Sequence, residues 1–171
     1  MASSEVAPVA RVRPAEDASE RATLTGLLDF QRATIVNKVA GLSDEQAAST
    51  PVAPSTLTPA GVVKHLTGVE RFWFSIDFAG ADLPWPWPES DPHGNFRLAP
   101  GETLSQIVSG YLEECERSRR AIDDANLDDP ARGPEMTFTL RYALAHMIEE
   151  TARHCGHLDL LREAIDGQTG E

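Results

Sequence analysis

Apolar residues recur at helical spacing in four separate segments of this chain, over about 19–41, 58–80, 103–124 and 140–167. Side chains three and four residues apart share one face of an α-helix, so each segment would bury one face and expose the other. No stretch alternates with a period of two for long enough to form a β-strand. The pattern therefore predicts an all-α protein in which four main helices pack as a four-helix bundle.

Local signals mark the ends of these helices. Thr58, which precedes a proline, is typical of a helix N-cap, and Thr103 with Gln106 has the pattern of a capping box. Gly167 stands where the last helix would need a residue in the left-handed conformation. The second helix is expected to continue to Gly80.

Two parts of the chain carry no helical pattern. Residues 1–16 hold prolines and scattered charges and are expected to form a flexible N-terminal tail, which leaves 17–171 as one bundle domain. Five prolines between 81 and 102 predict a long loop between the second and third main helices. Trp85 and Trp87 lie in this loop, where they would either form an aromatic wall over a binding site or pack the loop onto the bundle.

The charge balance excludes two classes of partner. Among the 171 residues, 27 are Asp or Glu and 15 are Lys or Arg, which gives a formal net charge of −12, and no basic run opposes it locally. Such a chain is repelled by nucleic-acid phosphates and by anionic lipids. No apolar run approaches the ~20 residues of a membrane span. We therefore expect a cytoplasmic protein that binds neither nucleic acid nor membrane, with its two cysteines reduced.

The last helix carries a pair of polar residues on its inner face. On a helical wheel, His154 lies within about 20° of the centre of the apolar stripe and Glu150 within about 60°, whereas Glu149 points to the far side. A buried carboxylate and a buried imidazole both need a partner, and a divalent cation would satisfy both. His65 borders the apolar stripe of the second helix and offers a third ligand. These residues predict a metal site with positions open for water or substrate.

Other interpretations of these residues remain open. Each of the three, taken singly, is more often a hydrogen-bonded residue of the core or its boundary, and Glu and His four residues apart are common on helix surfaces. His146 and His157 lie further from the centre of the stripe, which favours a place at the rim of the site rather than ligation. Cys155 is expected to be a small packing residue.

Two segments resemble the DinB-like superfamily. They are GVVKHLTGVERFW over 61–73, which contains the histidine of the second helix, and HMIEETARHCGH over 146–157 on the last helix. Most DinB-like proteins have histidines at both ends of a His-xxx-His motif on the last helix, whereas this chain has Glu150 at the first position. The same variant is found in the mycothiol-dependent maleylpyruvate isomerases, and a carboxylate can replace an imidazole on zinc.

The resemblance implies a bundle with down-up-up-down connections, a metal bound by His65, Glu150 and His154, and a homodimer. Zinc is the metal that it favours, with nickel and iron as alternatives. Reactions of the superfamily are thiol transfers and isomerisations that use mycothiol, bacillithiol or glutathione as the cosubstrate.

Four functions are compatible with these observations. The first is an enzyme in which the metal lowers the pKa of a small-molecule thiol and delivers the thiolate to an electrophile, with His157 or His146 carrying the proton. The second is a non-catalytic bundle that the metal stabilises. The third is metal-dependent hydrolysis, which is less favoured because no further Glu is placed by a motif as general base. Iron oxygenase chemistry ranks last, since it usually occurs on a scaffold of strands.

Overall fold

The computed structural model of the protein describes residues 5–87, 90–91, 94–133 and 136–170, and these residues form a helical bundle. The helices are α1 (Glu20–Val39), α2 (Asp44–Ala48), α3 (Pro59–Glu70), α4 (Leu104–Ile122) and α5 (Leu140–Asp166). The all-α prediction is confirmed for this part of the chain, where one isolated bridge, Pro130 with Thr139, is the only strand-like pairing. Within it, every helix is too short or too polar to cross a membrane.

The helix ends follow the local signals in the sequence. The Thr58 side chain accepts a hydrogen bond from the Gly61 amide at the start of α3. Thr103 and Gln106 form a complete capping box at the start of α4. Gly167 ends α5 with a φ of 77°, a conformation that glycine adopts without steric cost.

The second main helix changes its winding halfway along its length. It was predicted as one helix up to Gly80, but the α-helix ends at Glu70 and the chain continues as a π-helix over Arg71–Phe78. The amide of Ala79, for example, donates to the carbonyl of Phe74, five residues earlier, at 3.0 Å. A π-helical turn is wider than an α-helical turn, so side chains beyond Glu70 point in directions that a uniform α-helix would not give them.

The predicted loop between the second and third main helices is present, with residues 88–89 and 92–93 outside the described part. It contains a short 3-10 helix at Gly94–Phe96 that lies against α3. The contact is close enough that a Cβ atom on Gly61 would overlap the carbonyl oxygen of Phe96. A residue without a side chain at position 61 therefore lets the loop lie directly on the N-terminal half of α3.

Packing between the helices buries both apolar side chains and one ion pair. Leu28, Ile35, Leu66 and Leu144 are fully buried. Beside them, the guanidinium of Arg32 on α1 donates two hydrogen bonds, of 2.7 and 2.6 Å, to the carboxylate of Glu70 at the end of α3. Both residues of this pair are buried, so removal of either would leave the other as an unpaired charge in the core. The pair joins α1 to the point where α3 changes to the π-helix.

The described part of the predicted tail, residues 5–16, lies along α1. Val9 exchanges two backbone hydrogen bonds with the side chain of Asn37, at 2.7 and 2.9 Å. The guanidinium groups of Arg11 and Arg13 lie over the ring of Phe30, 4.9 and 4.3 Å from its centroid. This segment thus covers part of the outer face of α1.

Candidate metal centre

α3 holds His65 at the edge of the core, with its side chain 15% exposed. One face of the imidazole stacks on the ring of Phe96, with 4.0 Å between the centroids and 12° between the ring planes. Phe96 was not among the residues predicted from the sequence. It belongs to the loop, and no local pattern indicates that a loop residue packs on a histidine so distant in the chain. Its contact restrains the orientation of His65.

α5 places Glu150 and His154 one turn apart on the side that faces α3. His154 is 5% exposed, and the side chain of Glu150 is 14% exposed. Oε1 of Glu150 lies 3.2 Å from Nε2 of His154 and 3.6 Å from Nε2 of His65. The fold therefore brings together the three residues predicted as ligands, and one atom from each can be chosen so that all lie within 4.8 Å of one another.

The electrostatics of the cluster keep Glu150 ionised. Hydrogen bonding from His154, and then from His65, holds the pKa of Glu150 well below its usual range, although partial burial acts in the opposite direction. Arg153 donates to the other carboxylate oxygen, Oε2, at 3.2 Å. Oε1 thus faces the two imidazoles while Oε2 faces a cationic side chain, and the carboxylate is in the form that binds a cation.

The spacing and chemistry of the donors fit a small divalent ion. Zinc binds imidazole nitrogen and carboxylate oxygen at about 2.0–2.2 Å, which puts two ligand atoms of a tetrahedral site roughly 3.3–3.6 Å apart. The separations of 3.2 and 3.6 Å around Oε1 of Glu150 lie close to that value. Among the described residues, none forms a hydrogen bond with the buried Nδ1 of His65, so this nitrogen can carry the ring proton and leave Nε2 as the unprotonated donor. Both imidazoles can therefore offer Nε2 as a neutral ligand.

His157 contacts His154 on the side of its ring that faces away from Glu150. Its Nδ1 lies 3.3 Å from Nδ1 of His154, on the side of that ring opposite the nitrogen that faces Glu150. Partial burial, followed by the proximity of His154, lowers the pKa of His157. Contacts of this type fix the tautomer and the orientation of a metal-binding histidine.

His146 lies one turn of α5 before Glu150, and aromatic residues surround it. Its ring centroid is 4.3 Å from that of Trp73, and its ring plane is nearly parallel to that of Tyr142 at a centroid distance of 6.2 Å. Among the described contacts, none joins His146 to His65 or to Glu150. The two histidines predicted at the rim thus occupy different places, His157 against a predicted ligand and His146 in an aromatic cluster.

The two loop tryptophans pack on the second main helix. Phe72 has its ring centroid 5.3 Å from that of Trp85 and 5.7 Å from that of Trp87. Trp85 remains 41% exposed. These contacts attach the loop to the first turn of the π-helix.

Burial disfavours both cysteines as nucleophiles in the folded protein. Cys155 is buried, and burial raises the pKa of its thiol to about 12. Burial also raises the pKa of Cys115, in the core between α1 and α4, far above its ordinary value. Since the thiolate is the reactive form, a sulfur reaction at this centre would need a thiol from a separate molecule.

Comparison with known proteins identifies a family. A family model described as Mycothiol-S-transferase matches residues 23–167, which run from the first turn of α1 to the end of α5 and include all three clustered residues. No curated protein matches the chain.

Proposed function

The chain belongs to the mycothiol-S-transferase family, and from that premise we propose that it is a metal-dependent enzyme that joins mycothiol, through its sulfur, to a small electrophile. Its metal would be a divalent ion, most simply zinc, bound by Nε2 of His65, Oε1 of Glu150 and Nε2 of His154. The observation that carries this proposal is the convergence of both imidazoles on one carboxylate oxygen.

Three protein ligands leave coordination positions open, which is typical of a catalytic rather than a structural zinc site. A divalent ion in this place would supply Lewis acidity that lowers the pKa of the mycothiol thiol. The sulfur then provides the electron pair of the new carbon–sulfur bond, and the leaving group of the electrophile departs with the pair of the bond that breaks. The thiol proton must pass to a base or to solvent.

The side chains around the ligands have separate parts in this proposal. Arg153 restrains Glu150 through Oε2 and leaves Oε1 for the cation. His157 orients His154 through its Nδ1 contact and, half-buried at the edge of the cluster, is the first candidate to carry the proton away. His146 is the second candidate, about two turns of α5 before His154.

We also propose that residues 17–171 form one domain with down-up-up-down connections. The start of α1 contacts the start of α5, and the end of α1 contacts a later part of α5, so these two helices are parallel. The same order holds for the second main helix and α4. The pairs that support this order are Glu20 with Arg141 and Lys38 with Asp159, and Lys64 with Glu102 and Arg71 with Glu114. The resemblance adds a homodimer to the proposal, which light scattering on the purified protein tests.

The proposed thiol site is tested by calorimetry with a matched pair of ligands. Zinc-loaded protein is titrated with mycothiol and with its S-methyl derivative, in buffers of different ionisation enthalpy. We expect mycothiol to bind with release of a proton and the thioether to bind more weakly, because a thioether cannot become an anion. Metal-free protein and Glu150→Ala should bind neither ligand tightly.

Turnover then separates an enzyme from a metal-stabilised scaffold. Zinc-loaded protein should conjugate mycothiol with iodoacetamide faster than the free thiol reacts, as followed by mass spectrometry of the product. Equal affinity for thiol and thioether would contradict the thiol-transfer proposal and leave the metal as a structural ion or an activator of water.

A further inference from the structure

The second main helix and α5 meet beyond the candidate metal centre as well as at it. His65 contacts Glu150 at the metal centre, and Trp73 contacts Tyr142 at the other place. Tyr142 and Glu150 are eight residues apart, which is about two turns, or roughly 12 Å along α5. Residues four apart lie on nearly the same side of a helix, so both places belong to one side of α5.

An aromatic pocket of about 370 Å³ lies at this second place. Its volume is near the lower end of the usual range of small-molecule sites, about 300–1,000 Å³. Trp73 and Tyr142 line it from the two helices, and Met136, Phe138 and two threonines complete its wall. Among the residues described around the pocket, none that lines it is charged. It therefore suits an uncharged apolar group, because a charged group would lose its hydration there without gaining a partner.

The rings around the pocket are arranged as a wedge. The ring planes of Tyr142 and His146 are parallel to within 3°, and they are tilted by 40° and 39° to that of Trp73. The ring centroid of Trp73 is 4.3 Å from that of His146 but 6.2 Å from that of Tyr142. The space between the rings thus widens towards Tyr142, where the pocket lies. A flat ring in the pocket has an aromatic side chain on each of two sides.

Two large apolar side chains of the pocket are left in solvent by the fold. Tyr142 is 57% exposed and Met136 is 38% exposed, whereas Trp73 between them and the core is 9% exposed. Exposed apolar groups gathered around a concavity are typical of ligand sites, because a ligand supplies the burial that the fold does not. Trp73 belongs to the π-helix, and π-helical segments occur frequently at functional sites.

We propose that this pocket binds an aromatic ring of the electrophile, and that the electrophile is elongated, with a chain of several bonds between the ring and the reacting carbon. The proposal rests on the transfer reaction proposed above. Tyr142 lies about 12 Å along α5 from Glu150, so a ring in the pocket cannot be bonded directly to a carbon that reacts beside Glu150. His146 lies between the two on α5, and the chain of the electrophile passes its ring.

Binding of the ring is tested first without metal or thiol. The metal-free, ¹⁵N-labelled full chain is titrated by NMR with the unreactive probe N-(3-phenylpropyl)acetamide and with its cyclohexyl counterpart. We expect saturable shifts of the Trp73 indole N–H signal. The phenyl probe should bind about three- to tenfold more tightly than the cyclohexyl probe, which is the usual gain of an aromatic pair over burial alone.

Two substitutions on α5 form a matched pair for this titration. Tyr142→Ala removes one aromatic wall but keeps the backbone amide that donates to the N-cap residue Thr139. It should weaken binding of the phenyl probe about threefold or more. Leu160→Ala is the control, because Leu160 is also an apolar residue of α5, is 61% exposed, and lies outside the pocket lining. It should bind the probe like the wild type.

Turnover is then measured with iodoacetamide and N-(3-phenylpropyl)iodoacetamide, which share one reacting carbon. In both, the sulfur of mycothiol forms a bond to the methylene carbon, iodide leaves with the electron pair of the carbon–iodine bond, and the thiol proton passes to the buffer. Zinc-loaded protein should show a kcat/KM about tenfold higher for the phenyl reagent, because the buried ring adds binding energy. This ratio should fall about threefold or more in Tyr142→Ala and stay the same in Leu160→Ala.

The outcomes separate the ring site from the transfer reaction. Equal binding of the two probes, or equal binding of the phenyl probe by the wild type and folded Tyr142→Ala, would overturn the proposal. A change of oligomeric state in Tyr142→Ala without a change in probe binding would also overturn it and make this surface a contact between copies of the chain. Equal kcat/KM for the two reagents would refute the link to the electrophile. Binding of the phenyl probe without turnover of either reagent would refute the transfer reaction and leave the ring site supported.

Discussion

Substitution of His157 gives the sharpest test of the metal centre. It leaves all three predicted ligands in place and removes only the contact that orients one of them, His154. His157 touches Nδ1 of His154, the nitrogen that faces away from Glu150. Removing a partner of this kind typically lowers metal affinity by about 10- to 100-fold. The contact of 3.3 Å is slightly longer than the usual hydrogen bond of a ring N–H group. We therefore expect His157→Ala to bind zinc about tenfold more weakly, a loss of roughly 1.4 kcal/mol.

Variants of the predicted ligands and of His146 give the lower and upper limits with which the zinc affinity of His157→Ala is compared. His65→Ala, Glu150→Ala and His154→Ala should lose stoichiometric zinc, because two remaining ligands do not hold the ion tightly. His146→Ala should bind zinc like the wild type, since His146 packs on Trp73 and not on a predicted ligand. Zinc affinities are measured by competition with a chromophoric chelator, on protein purified without a histidine tag.

The order of the affinities decides whether the reasoning is right. Zinc affinity of His157→Ala equal to that of the wild type would show that the contact with His154 gives no support to the ligand. A loss of zinc in His146→Ala, with the three ligand variants unaffected, would show that the ion binds elsewhere on α5.

Three further outcomes are expected. Removal of the metal by a chelator should lower the melting temperature but leave the helical circular dichroism at 25 °C intact, because an ion present at 100 times its Kd adds only about 2.7 kcal/mol; a chelated sample without helix would contradict this. Glu70→Leu should destabilise the fold by about 3–5 kcal/mol in urea titrations because it leaves Arg32 buried without its partner, and the double variant with Arg32→Leu should recover much of that loss. Cys115 should resist iodoacetamide at pH 8 in the native protein and react in urea, because burial raises its pKa and keeps the thiol protonated well above that pH; rapid alkylation of the native protein would refute this.

The helices and the predicted ligands could be identified from the sequence because the signals for both are local. Thr58 and Thr103 cap the helices that follow them by binding amides three residues away. Glu150 and His154 lie one helical turn apart, so the apolar period of α5 suffices to place them on its inner face. The same reasoning put His65 on the border of the buried stripe, and its side chain is 15% exposed there.

Other features depended on contacts between residues that are far apart in the chain. The stacking of Phe96 on His65 and the packing of Trp85 on Phe72 follow from the path of the loop, which no local period describes. His146 and His157 looked alike on a helical wheel, but His157 lies within one turn of His154 and contacts it. His146 lies about two turns from His154, and only the packing of the second main helix places Trp73 against it.

The sequence by itself determined which segments are helical, where they begin and end apart from the end of α3, and which face of each is buried, since these properties arise from side chains within one or two turns of each other. Only the tertiary structure decided that α3 changes to a π-helix after Glu70, where the Arg32 pair joins it to α1. It also decided that Oε1 of Glu150 meets imidazoles from two helices. Both depend on how α1, α3 and α5 pack, and packing balances contacts along the whole chain at once.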